Sequence, residues 1–391
     1  MATFTTLYKS LGTKLPILSR NLHIKSKIHK EYIFKNMLFS QKNSLHLSVS
    51  GGLRKKHFEI ADTEDKKSVR DVISSLSILV GAQGFHEGNI DRSNLKELLP
   101  KSQASLPPRY MKDSFDSALI PLSSDLRLRE KYVTFMGGVR VGRLMEDLDV
   151  FAVWLCYKHV HNPDNSISPY SIVTALVDRM DFQNEHSLQS DQDIRLSGHV
   201  TWAGTTSMEV TIDVEQFCTV ENTWKEVTKA VFVLVARDPL NQGPAIVNSL
   251  VCETVEDKRI YHQGEINKLH RKHFAKEGLF QAPPSETEKN LVHKLFMEMA
   301  DESQMKFYTK RALPNTTWMD ETVLKNLIMC HPEHRNRFKK VFGGFIMRQA
   351  FELGWACAYT HSKLRPRILH IDDIMFRRPV EIGSLLYLNS Q

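Results

Sequence analysis

The stretch from His331 to Glu352, H-P-E-H-R-N-R-F-K-K-V-F-G-G-F-I-M-R-Q-A-F-E, constrains this chain more than any other. It reads as a polar loop carrying Asn336, a glycine pair at Gly343 and Gly344, and then a helix. That helix is apolar on almost every side, through Phe345, Ile346, Met347, Ala350, Phe351, Leu353, Trp355, Ala356 and Ala358. A surface helix shows a single apolar stripe, so one with this little polar surface has to be wrapped. Strand-like sequence follows directly. The expected picture is a central helix enclosed by a curved sheet, its N-terminus aimed at whatever Asn336 faces.

A chain of 391 residues has room for two or three domains. No unbroken apolar run is long enough to span a membrane. The net charge of +7 belongs to one end: residues 1–58 hold eleven Lys and Arg against the single acid Glu31, leaving 41 basic and 44 acidic residues elsewhere. A near-neutral body does not fit a nucleic-acid surface. The first thirty residues are basic, rich in Ser and Thr, and free of Asp and Glu. That is the composition of a mitochondrial transit peptide, and a disordered basic tail is the other reading. The five cysteines form no C-x-x-C pair, and several sit in apolar runs, which fits small buried hydrophobes in a reducing compartment.

After the tail, residues 59–108 form an N-terminal extension with a helical pattern at Val69, Val72, Ile73, Leu76 and Leu79, expected to pack on the surface. Residues 109–245 read as one domain: an extended S-F-D-S-A-L-I-P-L, a helix from about Val139 to His159, and four strands. These are Ser171–Phe182, Ile194–Ala203, Ser207–Phe217 and the run Ala230–Val235. The third alternates Met208, Val210, Ile212 and Val214 with Glu209, Thr211, Asp213 and Glu215, the period-two signature of a sheet with one buried and one wet face. One buried helix followed by an antiparallel meander is an α+β plan. Residues 246–304 are a charged helical linker with a capping box at Ser285 and Glu288.

The pattern then repeats over 305–391. M-K-F-Y-T-K-R-A-L-P is extended, V-F-G-G-F-I-M-R-Q-A-F-E echoes R-V-G-R-L-M-E-D-L-D-V-F, and H-I-D-D-I-M-F echoes L-V-D-R-M-D-F. A strand at Ser384–Ser390 follows, and by the first copy's measure the second lacks its last two strands.

Three features carry possible chemistry. Unpaired amides at a helix start stabilise developing negative charge, and Gly343 and Gly344 let a carbonyl oxygen approach closely. Glycines there also fit tight packing alone. Asp149 sits between Leu148 and Val150 in an apolar helix, two turns after Gly142, so it faces a cavity or a partner and is a candidate general base. Glu352 holds a nearly equivalent place, but Arg348 four residues earlier makes a structural ion pair the simpler reading. The sequence has no G-x-S-x-G elbow, no phosphate-binding loop and no dinucleotide fingerprint. His331 and His334 near Cys330 lack a fourth ligand for a metal.

The runs G-R-L-M-E-D-L-D, P-Y-S-I-V-T-A-L-V-D, F-G-G-F-I-M-R and D-D-I-M-F-R-R-P-V-E-I-G-S-L-L, with an Asn seven residues ahead of a Gly-Gly helix, resemble the mitochondrial hot-dog-fold acyl-CoA thioesterases from Arg109 to Gln391. The resemblance implies a tandem (double) hot-dog fold. It implies hydrolysis of fatty acyl-CoA with no metal or redox cofactor, in the matrix or at the inner membrane, by a homo-oligomer built as a trimer of tandem units. It also implies a catalytic pair, Asn336 in the loop and Asp149 on the facing helix, with the Gly344 amide polarising the carbonyl. Thr134 and Val141 stand where the first copy would carry the Asn and the first Gly, and Phe351 stands at the second copy's acid position. Each half thus lacks what the other retains, which implies one composite site. Arg365, Arg367, Arg377 and Arg378 are the candidates for the phosphates of coenzyme A. A non-catalytic acyl-CoA binder or assembly subunit of the same fold, or a hot-dog hydratase, are the competing functions.

Overall fold

A computed structural model describes residues 58, 67–81, 92–182, 188–277, 282–301, 306–307, 316–336 and 340–391. The transit-like segment lies outside these residues. The described chain forms two compact units. One is Phe58–Asn267 with Lys325–Ser390, and the other, Lys268–Leu324, is mainly helical.

In chain order the larger unit opens with α1 (Val69–Leu79), β1 (Asp116–Ile120), α2 (Leu126–Tyr132) and α3 (Val141–His159). Strands β2 (Ser171–Asp181), β3 (Ile194–Ala203), β4 (Ser207–Cys218) and β5 (Thr223–Arg237) follow, then α4 (Val255–Glu277). The smaller unit carries α5 (Glu286–Met299), whose start is capped by Ser285 and Glu288 as expected. The chain returns with β6 (Leu324–Met329), α6 (Gly343–Ser362), β7 (His370–Met375) and β8 (Leu385–Ser390).

Helix α3 is the centre. Leu144, Met145, Leu148, Phe151, Ala152 and Leu155 are all 0% exposed, because strands β2 to β5 lie along one flank and α1 and α6 along others. The N-terminal extension is therefore more than a surface arm. Val69, Val72 and Leu76 of α1 are part of the same core, and a Ser68–Asp71 capping box fixes the helix start. The clean alternation of β4 holds on the inner face only. Glu209 and Glu215 are each 3% exposed, since Asn267 of α4 donates to Glu209 (3.1 Å) and Arg195 pairs with Glu215 (2.9 Å). A neighbouring helix and a cross-strand ion pair have closed the face that period two alone reads as wet.

The sheet runs β7-β2-β5-β4-β3-β1, so a strand from the second half extends the sheet of the first. β7 lies antiparallel to β2, pairing Ile371 with Met180 and Ile374 with Val177. Among the described residues β6 and β8 pair only with each other. Of the M-K-F-Y-T-K-R-A-L-P segment only Lys306–Phe307, a short strand, is described, and the rest lies outside the described residues. The pairing of β7 with β2 corrects the expectation that α6 is enclosed. Phe345, Ile346, Met347 and Ala350 are buried, but Phe351, Leu353 and Trp355 are half-buried and Ala358 is exposed. With β7 committed to the other sheet, Ile328 of β6, Leu386 of β8 and the segment carrying Phe376, Val380 and Ile382 pack against the cluster of Phe345 and Ile346 from this half.

The two helix starts are built alike. Thr134 N–H donates to the Gly138 carbonyl (2.8 Å) and Gly138 N–H returns to Thr134 Oγ1 (3.1 Å). Asn336 N–H donates to the Lys340 carbonyl (2.6 Å) and Lys340 N–H returns to Asn336 Oδ1 (3.1 Å). Bridges Val133–Val139 and Arg335–Val341 close the two loops, and the helices begin at Val141 and Gly343. Every pair stands at one constant offset along the chain.

Candidate active site at the crossing of two helices

Helices α3 and α6 cross through glycines. A Cβ placed on Gly142 would lie 3.1 Å from Arg348 Cγ, and one on Gly344 would lie 2.9 Å from Glu146 Cα and 3.0 Å from the Glu146 carbonyl oxygen. The offset that relates the two loops also relates these two contacts. Such closeness brings the first turn of α6 onto the middle of α3, where Asp149 projects.

Asp149 is 1% exposed and held from two sides. Thr174 Oγ1 of β2 donates to its Oδ1 at 2.5 Å, and the Gly344 N–H donates to the same carboxylate. Its Oδ2 lies 3.2 Å from the point where a Gly343 Cβ would stand, so a larger residue there would crowd the carboxylate. Burial, opposed by the two hydrogen bonds and aided by the Glu146 charge, leaves the Asp149 carboxyl raised to about 6. An acid poised near 6 is ionised at neutral pH and still basic enough to take a proton from water.

Of the residues singled out from sequence, Asp149, Gly343 and Gly344 are brought together. Asn336 stands one loop away, tied to the helix start by the Arg335–Val341 bridge and by Phe342 N–H donating to the His334 carbonyl (2.8 Å). The Gly344 amide, the expected carbonyl-polarising donor, donates to Asp149 in this structure. Glu352 pairs with Arg140 (2.6 Å) rather than with Arg348, which reaches across the crossing to Glu146 (3.4 Å). Interhelix geometry overrides the four-residue spacing. The arginines also separate: Arg365 lies beside the Thr134 loop, its guanidinium 3.2 Å from a Cβ on Gly138, whereas Arg377 and Arg378 follow β7. All four, with Arg367, are exposed.

Thr174 was not legible as a site residue. Its signal was present, since alternation puts it on the inner face with Ile172, toward a helix carrying a buried acid. A β-bulge between Thr174 and Leu176 sets the local geometry, leaving the Ala175 carbonyl free to accept from Phe376 N–H (2.9 Å). Glu146 was also missed. It is bonded to Arg143 (2.6 Å) and beside Asp147, which takes a hydrogen bond from Tyr132 and is pushed up to about 8 by burial. Among the described residues no group of His, Cys, Asp and Glu is arranged to hold a metal.

The pH dependence of kcat/KM follows from this geometry. A base must be ionised to act, so activity falls as pH drops through about 6, the value set at Asp149. Glu146→Gln removes the neighbouring charge that raises it, so the acidic limb moves to lower pH. A limb unmoved by the substitution, measured from pH 4.5 to 8, would mean that Asp149 is not the group being titrated.

The crossing therefore holds a buried acid, Asp149, against the N-terminus of α6. The chain belongs to the acyl-coenzyme A thioesterase family. It is 48% identical over 301 residues to the mitochondrial acyl-coenzyme A thioesterase 9 of Mus musculus, a match covering 77% of this chain and 68% of that protein. It is 43% identical over 332 residues to the Homo sapiens protein of the same name, covering 83% and 74%. No family model matches the chain. Among solved structures, an acyl-CoA hydrolase from Staphylococcus aureus in complex with butyryl coenzyme A aligns with 48% of this chain and 99% of its own. The identity is 20% and the TM-score 0.36, too loose a superposition to carry an argument.

Proposed function

We propose that this protein hydrolyses fatty acyl-CoA thioesters to free fatty acid and coenzyme A at a single composite site. The observation that carries the reading is Asp149 of the first half held against the N-terminus of the second half's helix, between Thr174 and Gly344. The thioester carbonyl lies with its oxygen toward the first-turn amides, Gly343 foremost, where the helix dipole favours the developing oxyanion. Asn336 orients the substrate or the water. Asp149 takes a proton from water, the hydroxide adds to the carbonyl carbon, and the tetrahedral intermediate expels the thiolate as the C–S bond breaks. The proton returns from Asp149 to the sulfur. The exposed Arg365, Arg367, Arg377 and Arg378 are the candidates to meet the phosphates of coenzyme A.

The same reading takes the fold as a tandem hot-dog, with halves at 109–245 and 305–391. Its support is the matching pair of loops and the paired glycine contacts. At the corresponding place in the other half, Thr134, Val141 and Phe351 replace Asn, Gly and the acid, so one site acts per chain. The names of the relatives support a mitochondrial location. The implied assembly is a trimer of tandem units, and a stable monomer in light scattering would remove it. The direct test is release of coenzyme A followed by thiol trapping. Asn336→Ala should lower kcat by about 10²-fold or more, the scale of losing one preorganised polar group, while circular dichroism stays native. A folded wild-type chain that binds acyl-CoA without turning it over would point to a binding protein instead.

A further inference from the structure

The composite site has a polar side and an apolar side, and one ring supplies an apolar contact beside Gly343 and Asp149. Phe376 follows β7, and its N–H is fixed to the carbonyl of Ala175, the neighbour of the Thr174 that holds Asp149. Its ring atoms Cζ and Cε1 lie 3.5 and 3.7 Å from the position of a Cβ on Gly343, and Asp149 Oδ2 lies 3.2 Å from that same point. Carboxylate, helix start and ring edge therefore meet at one place. Behind the ring is packed interior: Phe376 touches both apolar clusters of the unit, the larger one containing Met347 and Ile374 and the smaller one containing Phe345 and Ile346.

A thioester carbonyl seated on the amides has two substituents leaving in different directions. The coenzyme A arm is charged and has to reach solvent, while the acyl chain runs along apolar surface. Phe376 stands on the interior side, so it is the first wall that the acyl chain meets. We propose that Phe376, given the composite site argued above, is the residue that sets acyl chain length, its ring closing the inner end of the acyl channel. The main chain at Phe376 is fixed by its hydrogen bond to β2, and its ring is packed against both apolar clusters. The size of the ring then limits how many methylenes enter.

The experiment is kcat/KM on saturated acyl-CoAs from acetyl to palmitoyl, for wild type, Phe376→Ala and Phe376→Trp, with free coenzyme A as a competitive inhibitor. Removing the ring should raise the ratio of decanoyl- to butyryl-CoA at least tenfold, since each further methylene accommodated is worth about fourfold. Enlarging it should lower the ratio. Phe376→Leu, a smaller apolar change, gives the same direction if the Ala variant fails to fold. Ratios unchanged within twofold across the folded variants overturn the proposal, as does a parallel change in coenzyme A inhibition, which would put the ring on the coenzyme A arm. Asp149→Asn on the same series separates the two levels. If it is inactive on every chain length while Phe376 variants keep the wild-type profile, the site stands and the chain-length assignment falls. If it turns over as wild type does, the site itself is misassigned.

Discussion

Asp149→Asn should abolish turnover while leaving the protein at least as stable at pH 7. A positioned general base contributes about 10²–10⁴-fold, and an amide cannot take the proton. The stability half follows from linkage. For an aspartate the usual shift is downward, and here the sign is reversed. Burial raises the folded-state value from 3.8 to about 6. Between about pH 4 and 6 the folded state therefore binds more protons than the unfolded state, so stability falls as pH rises through that window and stays reduced above it. The cost of keeping Asp149 ionised at neutral pH is on the order of 3 kcal/mol. Asparagine has nearly the same shape, accepts a hydrogen bond from the Gly344 amide or Thr174, and carries no charge to bury. Coenzyme A release and urea unfolding at pH 4.5 and 7.5 measure both halves. Turnover within tenfold of wild type removes Asp149 as the base. A variant several kcal/mol less stable at pH 7.5 would mean that the carboxylate serves mainly as a cap for α6.

What the sequence made legible were the features encoded locally. The bounds of β3 at Ile194–Ala203 were read correctly because Gly204-Thr205-Thr206 forms a tight turn, in which Gly204 N–H reaches the Ser207 carbonyl at 2.8 Å. The start of α6 at Gly343 was readable because a glycine pair ends a polar loop and an apolar run begins. Asp149 stood out because a carboxylate among Leu148, Val150 and Phe151 needs a reason to be there. What could not be read was long-range. No periodicity says that His370–Met375 joins β2 instead of its own half, yet that pairing decides which side of α6 is left half-covered. The partner of Glu352 was misjudged for the same reason. Arg348 is its neighbour along the helix, but the crossing at Gly142 and Gly344 presents Arg140 to Glu352 and Glu146 to Arg348. Thr174 lay in plain sight within a strand, and only the fold put it opposite Asp149.

Gly344→Ala carries the second large effect, and its cause is backbone against backbone. The added methyl would meet Phe342 Cε1 at 2.6 Å, Glu146 Cα at 2.9 Å and the Glu146 carbonyl oxygen at 3.0 Å. The Phe342 ring can rotate away, but two atoms of the α3 main chain cannot. The first turn of α6 has to lift from α3, taking the Gly344 N–H off Asp149 and moving the Gly343 amide out of line with the carbonyl. Loss of an oxyanion donor typically lowers kcat by about 10²–10³, and overpacking at such a contact costs about 1–3 kcal/mol. Gly142→Ala is the informative control, because the repeat places Gly142 in the equivalent contact. There the nearest atoms are Arg348 Cγ at 3.1 Å and Glu352 Cγ at 3.4 Å, both on flexible side chains, with the Arg348 carbonyl oxygen also at 3.4 Å. That variant should lose a little stability and keep most of its activity, since Thr134 and Phe351 already make its side of the crossing inert. Measuring kcat and thermal midpoint on both variants separates packing from chemistry. If the two glycines prove equally sensitive in kcat, the second crossing is catalytic as well, and the single composite site is wrong.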